Sequence, residues 1–252
     1  MSRTNKLFLV LLSAAWAING LTLSGCDESE STCMLSVPNA IVHGRTPKSI
    51  ERDIVNATVL LKIDTTVDGV EVTEQCSGVA VTDRRVLTAA HCFKHGTEWA
   101  VSLSIPILDE TSSDFCETGF RTLKGTLLKR RSTADLAVVE VEGGLNGTVS
   151  AAEETPSVGT EVTVAGYGLD ENNGLGTLRF LDTAIISYQQ NLWEVDSGDA
   201  GACAGDSGGP MFVYNAVSRR YELAGILSVG SVLCTGVDYY TDVISVRAWW
   251  EE

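Results

Sequence analysis

"CAGDSGGP", Cys203–Pro210, sets three glycines around a single serine within eight residues. Glycine turns freely into conformations closed to other residues, so this stretch can fold into a tight loop with its backbone N–H groups turned outward around Ser207. Working outward, two more segments carry chemistry. "LTAAHC", Leu87–Cys92, holds His91, one of only three histidines in the chain. "TADLAVVEV", Thr133–Val141, opens an apolar run with Asp135. A lone histidine is more often structural than catalytic, and an aspartate begins many strands. The serine loop is specific by itself; the other two gain meaning from their order along the chain.

In the order His91, Asp135, Ser207, the motifs "TAAHC", "DLA" and "GDSGGP" resemble the chymotrypsin-like (trypsin-fold) serine proteases. The resemblance runs from Ile41 to the C-terminus. "VTVAGYG", Val162–Gly168, resembles that family's mid-chain strand, and "GILSVGS", Gly225–Ser231, its substrate-binding strand. It implies an all-β fold of two six-stranded antiparallel barrels with a short C-terminal helix. His91 and Asp135 would come from the first barrel and Ser207 from the second. It also implies a serine endopeptidase that works through an acyl-enzyme on protein or peptide substrates, with no metal or cofactor. The catalytic residues would be His91, Asp135 and Ser207, and the N–H groups of Gly205 and Ser207 would form the oxyanion hole. A silent homologue that binds a partner through the same cleft is the alternative, although no member of the triad is missing.

The residues themselves agree with the fold class. Short β-branched runs separated by turns recur at 57–63, 79–81, 86–88, 137–141, 162–165 and 223–229. This pattern reads as an all-β barrel or sandwich, and helical periodicity is scarce outside the leader.

The family resemblance extends to activation and to disulfides. "AIVHGRT", Ala40–Thr46, resembles the mature N-terminus, with His43 in place of a glycine. Cleavage before Ile41 would free an amine to pair with Asp206. Ala40 is not the basic residue that usually precedes this bond, so a different activating protease, or self-cleavage with a taste for small residues, is implied. The family bridges correspond here to Cys76–Cys92 and Cys203–Cys234. With Cys26 set aside for lipid, Cys33 and Cys116 are left to pair, and that bridge would keep a cut propeptide attached.

The first wall of the specificity pocket would begin at Gly201 and Ala202, with no aspartate there. The second would carry Ser228, Val229 and Gly230. Asp238 aligns with a pocket-floor glycine of the family, unless a shorter loop puts Gly236 there instead. The preferred P1 residue is therefore small and apolar, the reading favoured by the Gly201–Ala202 wall, or broad with acceptance of basic residues if Asp238 reaches the pocket.

Residues 1–25 form a signal peptide: Arg3 and Lys6, an apolar stretch over 7–18, then small residues. "LSGC", Leu23–Cys26, resembles a bacterial lipobox, which makes Cys26 the lipid attachment site and residues 26–40 a lipidated leash or propeptide ahead of a protease domain at 41–252. The protein is expected to be exported and held at the membrane by its lipid, periplasmic or at the cell surface, or else secreted. Export also favours disulfides. The chain carries −15 formally; removing the two leader cations leaves −15 − 2 = −17 on the remainder. So acidic a protein repels nucleic acid, which is excluded as a partner.

Overall fold

A computed structural model of the chain describes residues 41–108, 117–172 and 176–252. Twelve strands make two closed antiparallel barrels. The first contains β1 (Thr58–Val67), β2 (Val70–Ala80), β3 (Arg85–Thr88), β4 (Ala100–Leu108), β5 (Glu117–Arg131) and β6 (Leu136–Val141), closed in the order β1-β2-β3-β6-β5-β4. The second contains β7 (Glu161–Gly166), β8 (Arg179–Gln189), β9 (Leu192–Asp196), β10 (Pro210–Asn215), β11 (Arg220–Val229) and β12 (Val237–Asp242), closed in the order β10-β11-β12-β9-β8-β7. A one-and-a-half-turn helix α1 (Arg52–Ala57) precedes the first barrel and a short helix α2 (Arg247–Glu251) ends the chain.

The period of two explains the barrels. Along β1, Val59, Leu61 and Ile63 point inward and are buried, while Lys62 faces solvent. β6 is different: Leu136, Ala137, Val138 and Val139 are all buried, because one face fills the barrel and the other packs against its surroundings. Closure leaves no sheet edge unpaired. Bulges interrupt the ladders between Leu127 and Lys129 on β5 and between Leu227 and Val229 on β11. The second of these turns Ser228 out of register toward the other barrel.

The barrels meet through buried side chains. One hydrophobic cluster contains Leu61, Val86 and Val138 of the first barrel together with Phe180, Phe212 and Leu223 of the second. Tyr167, just past β7, is fully buried in it. Its hydroxyl donates to the carbonyl of Thr58 at 3.3 Å. The expected fold class is therefore observed, including the short C-terminal helix.

Candidate active site

Each side chain of the site is held by a local turn. His91 sits on a single 3-10 turn, Ala90–Phe93, directly after β3. The Cys76–Cys92 disulfide fastens that turn to β2. Asp135 follows another 3-10 turn, Ser132–Ala134, and adopts φ 46°, ψ 46°. Aspartate tolerates this left-handed geometry better than most residues, and here it delivers the carboxylate at the mouth of β6. Oδ1 accepts the His91 backbone N–H at 2.8 Å and Oδ2 lies 2.7 Å from His91 Nδ1. Ser228 Oγ donates to the same Oδ2 at 2.7 Å. The carboxylate thus fixes the ring's orientation and leaves Nε2 as the free nitrogen.

Ser207 lies across the cleft. His91, Gly205, Ser207, Leu169 and Ala204 line one cavity of about 350 Å³ between the barrels. Gly205 has φ 98° and Gly208 φ 80°, which is why glycine is needed at both places. A Cβ on Gly208 would strike the Ser77 carbonyl and the Thr88 hydroxyl. Two neighbouring N–H groups are already taken: Asp206 N–H reaches the Cys203 carbonyl at 3.0 Å and Gly208 N–H the Leu227 carbonyl of β11 at 2.9 Å. Among the described residues, the N–H groups of Gly205 and Ser207 have no protein acceptor. Two open donors beside a serine can stabilise a negative oxygen.

Behind the loop lies Asp206, 2 % exposed. Its carboxylate accepts N–H bonds from Gly168 and Cys203, each 2.8 Å, and from Ile41. Burial, reinforced by the charge of Asp238, pushes its pKa up to about 7 in spite of those three donors. A Cβ on Gly166 or Gly168 would run into this carboxyl, so the glycines of "VAGYG" form its cradle. That role was missed in the sequence, although the paired glycines were its signal.

Ile41 is 1 % exposed and packs into the core of the second barrel with Val162, Trp193 and Tyr240. Val42 bridges to Gly201, N–H to carbonyl at 3.0 Å and back at 3.3 Å. His43 takes φ 57°, the conformation a glycine would adopt without cost. Its Nδ1 lies 2.8 Å from the Asp199 carbonyl and its N–H reaches Glu171 at 3.2 Å. The next turn is pinned by an ion network that no local pattern announced. Arg45 bonds fully buried Glu51 at 2.6 Å and Asp182 at 2.5 Å, and Lys48 bonds Asp182 at 2.7 Å. Burial opposes the Arg45 charge, yet Glu51 and Asp182 hold the guanidinium above its ordinary value. Burial likewise pushes Asp182 upward, but Arg45, Lys48 and Thr163 keep it well below the usual carboxylate range.

The two segments expected to wall the pocket are joined by the Cys203–Cys234 disulfide. Asp238, on β12, is 1 % exposed and lies between them. Oδ2 accepts the Ala202 N–H at 2.9 Å and Oδ1 the Ser231 N–H at 3.1 Å. Hypothetical Cβ atoms on Gly201 and Gly230 would each come within 3.4 Å of this carboxylate, so both walls face it. Gly236 has no neighbour within 4 Å of a Cβ and does not take that place. Burial, followed by the nearby charge of Asp196, raises the Asp238 pKa. Val229 stands 54 % exposed at the rim, next to Gly230. Cys26, Cys33 and Cys116, and the segments 1–25 and 26–40, lie outside the described residues.

Comparison with known proteins agrees with this geometry. The family model described as Trypsin matches residues 42–250. Kallikrein-4 of Homo sapiens is 26% identical over 200 residues, covering 70% of this chain and 76% of the relative. A trypsin of Sarcophaga bullata is 26% identical over 263 aligned positions, 87% of this chain and 96% of the relative. Granzyme M of Homo sapiens is 26% identical over 193, with 64% and 71% covered. Residues 42–250 contain all twelve strands of the two barrels, and the chain belongs to the trypsin family of serine endopeptidases.

Proposed function

We propose that the chain hydrolyses peptide bonds through an acyl-enzyme on Ser207, with Asp238 admitting basic P1 residues and with full activity after cleavage before Ile41. The observation that carries the catalytic part is the Asp135–His91 pair set across one cleft from a serine flanked by two open N–H donors.

In this reading, Ser207 Oγ attacks the scissile carbonyl carbon while its proton passes to His91 Nε2. The carbonyl π pair moves to oxygen, and the N–H groups of Gly205 and Ser207 receive the oxyanion. Each such donor contributes roughly 3 kcal/mol to the transition state. The C–N bond then breaks, and His91 gives its proton to the leaving amine. Water attacks the acyl-enzyme, loses a proton to His91 and releases the acid, and the proton returns to Ser207. Asp135 stabilises the imidazolium, and Ser228 holds Asp135.

Buried Asp238 supports the P1 assignment. Its two oxygens are each bonded to one backbone N–H, and its charge has no cationic partner among the described residues. An arginine or lysine side chain entering between Gly201 and Gly230 would supply one. Burial raises the pKa of this carboxyl and so disfavours its bare charge, which eases the entry of neutral P1 residues and makes the preference broad.

Activation is supported by two features of the Ile41 segment. Its N–H already points at Asp206, and its φ is 56°, a costly angle for a β-branched residue. Cleavage removes that dihedral altogether and turns the amide into an ammonium beside a carboxylate that lacks a counter-ion. Upstream, Cys26 is the lipid attachment point and a Cys33–Cys116 bridge keeps the cut propeptide attached, so the active enzyme remains at the membrane. This part rests on the sequence alone.

Labelling with a fluorophosphonate, lost in Ser207→Ala, tests the catalytic assignment. Mass spectrometry of the native protein reads the remainder: an Ile41 N-terminus, a diacylglyceryl mass on Cys26 and a Cys33–Cys116 peptide pair. Full activity in protein whose only N-terminus is Cys26 defeats the activation step.

A further inference from the structure

Gly205 carries one of the two open N–H donors, and a glycine at φ 98° has no side chain to hold it there. Its conformation depends on the two peptide planes on either side. The plane before it is fixed because the Ala204 carbonyl accepts the Leu169 N–H at 2.8 Å. The plane after it is held at both edges: the Asp206 N–H donates to the Cys203 carbonyl at 3.0 Å, and a side chain from the other barrel, Ser77 Oγ, donates to the Gly205 carbonyl at 2.9 Å. The same hydroxyl accepts the Tyr167 N–H at 2.9 Å. Its donor and acceptor roles are thereby both assigned. Ser77 is fully buried, and its own N–H donates to the Ser207 carbonyl at 2.8 Å.

Ser77 is also tied to the histidine side of the cleft. It adjoins Cys76, whose disulfide partner Cys92 is next to His91. Its carbonyl accepts the Thr88 hydroxyl at 2.7 Å. One residue of β2 therefore contacts the backbone of both donor residues from across the barrel interface.

We infer that Ser77 is a positioning residue, whose buried hydroxyl locks Gly205 in the conformation that aims its N–H at the oxyanion. The inference rests on the catalytic reading above. Without the hydroxyl, the Gly205 carbonyl loses its side-chain donor, the Gly205–Asp206 plane is left with the Cys203 contact alone, and the glycine's φ and ψ can drift enough to turn its N–H off the oxyanion. Substrate binding in the ground state makes little use of that N–H, whereas the tetrahedral intermediate depends on it.

The experiment uses active enzyme, its functional sites counted with a fluorophosphonate. Compared are wild type, Ser77→Ala and Ser77→Thr, which keeps the hydroxyl. Measured are kcat and KM on a peptide amide, affinity for the matching peptide aldehyde, which forms an oxyanion adduct, and affinity for the product acid. Expected for Ser77→Ala is a loss of about tenfold in kcat and an equal loss in aldehyde affinity, less than the cost of deleting a donor outright. KM and product affinity should remain within about twofold, since only transition-state binding is affected. Ser77→Thr should recover most of both losses. Wild-type kcat and aldehyde affinity in Ser77→Ala overturn the inference, as does a parallel loss of product affinity, which signals general loosening of the cleft. If Ser77→Ala yields no folded enzyme, Ser77→Gly, which leaves room for a water between the same two groups, is read with the same measurements and the same criteria. Failure of wild-type enzyme to take the fluorophosphonate would instead overturn the catalytic reading itself.

Discussion

The two barrels bring carboxylates of opposite character to the same cleft. Asp135, from the first, is partly exposed and fully engaged: two bonds from His91 and one from Ser228. Asp206 and Asp238, from the second, are buried, ringed only by backbone N–H groups and without a cationic partner among the described residues. A partly exposed carboxylate beside an imidazole can be completed by folding alone. A buried one bonded only to amides keeps a charge that the low-dielectric interior disfavours, and both pKa values rise accordingly. Under the proposed function, the first barrel's contribution is finished when the chain folds. The second barrel's waits for two cations that arrive later, the Ile41 ammonium and the P1 side chain.

The largest effect should come from the finished side. Asp135→Asn preserves the shape of the contact but leaves the wrong nitrogen protonated, so kcat should fall on the order of 10⁴-fold. Binding of the product acid should be unchanged. A loss of less than tenfold, measured per fluorophosphonate-reactive site, would mean that Asp135 does not orient His91.

Asp206 provides the next test, in stability rather than rate. Its pKa in the folded, uncleaved chain is raised from 3.8 to about 7. Protonation is therefore tighter in the folded state. The associated stability is complete below about pH 4 and is lost as pH rises through about 7. The rise corresponds to at most about 4 kcal/mol. Cleavage before Ile41 should remove this slope, because the new ammonium neutralises the carboxylate. Denaturant unfolding of Ser207→Ala protein in uncut and cut forms, at about pH 4 and about pH 8, gives the difference directly. Asp182, whose pKa is lowered, has the opposite slope, but it contributes to both forms and cancels. Parallel curves for the two forms would show that Ile41 and Asp206 do not pair.

Much of this site was legible in the sequence, and the division follows the chemistry. "GDSGGP" and "TAAHC" could be read because a nucleophile loop and a histidine turn are local structures, each built from consecutive residues. β6 could be read because a strand buried on both faces is a run of apolar residues. β5 could not: over Glu117–Arg131 its outer face is largely Arg, Lys and Thr, so hydropathy hides it. The Arg45–Glu51–Asp182 network is invisible locally, because Arg45 and Asp182 are 137 residues apart. Ser77 had no signal at all, since a serine between a cystine and a glycine looks like any other. Asp238 could be named from the sequence, yet its place depended on loop length, which only the register of β12 with β9, Asp238 against Val195, makes visible.

That register leads to a direct test of specificity. Asp238→Asn keeps an acceptor for the Ala202 N–H while removing the charge. The ratio of kcat/KM for P1 arginine over P1 alanine should drop on the order of 10²-fold, the scale of deleting one partner of a desolvated ion pair. Turnover of the alanine substrate should be nearly unaffected. An unchanged ratio returns the pocket to the small, apolar preference that its Gly201–Ala202 wall suggests.

The smallest effect separates the two waiting carboxylates from each other. Asp238 titrates with a raised pKa in the empty pocket because burial and Asp196 disfavour its charge. Below that pKa the carboxyl is neutral, and a P1 guanidinium must displace a proton in order to pair with it. The preference for arginine should therefore strengthen as pH rises, by about tenfold for each unit separating the two pKa values. His91 acts on both substrates alike and leaves their ratio untouched. The Asp206–Ile41 pair also affects both equally. Only a charge inside the P1 pocket can make the ratio itself depend on pH, so a flat ratio in Asp238→Asn beside a rising one in wild type would assign that charge to Asp238. A rising ratio that survives the substitution would move the assignment to another acid, and Asp196, whose charge already bears on Asp238, is the first to examine.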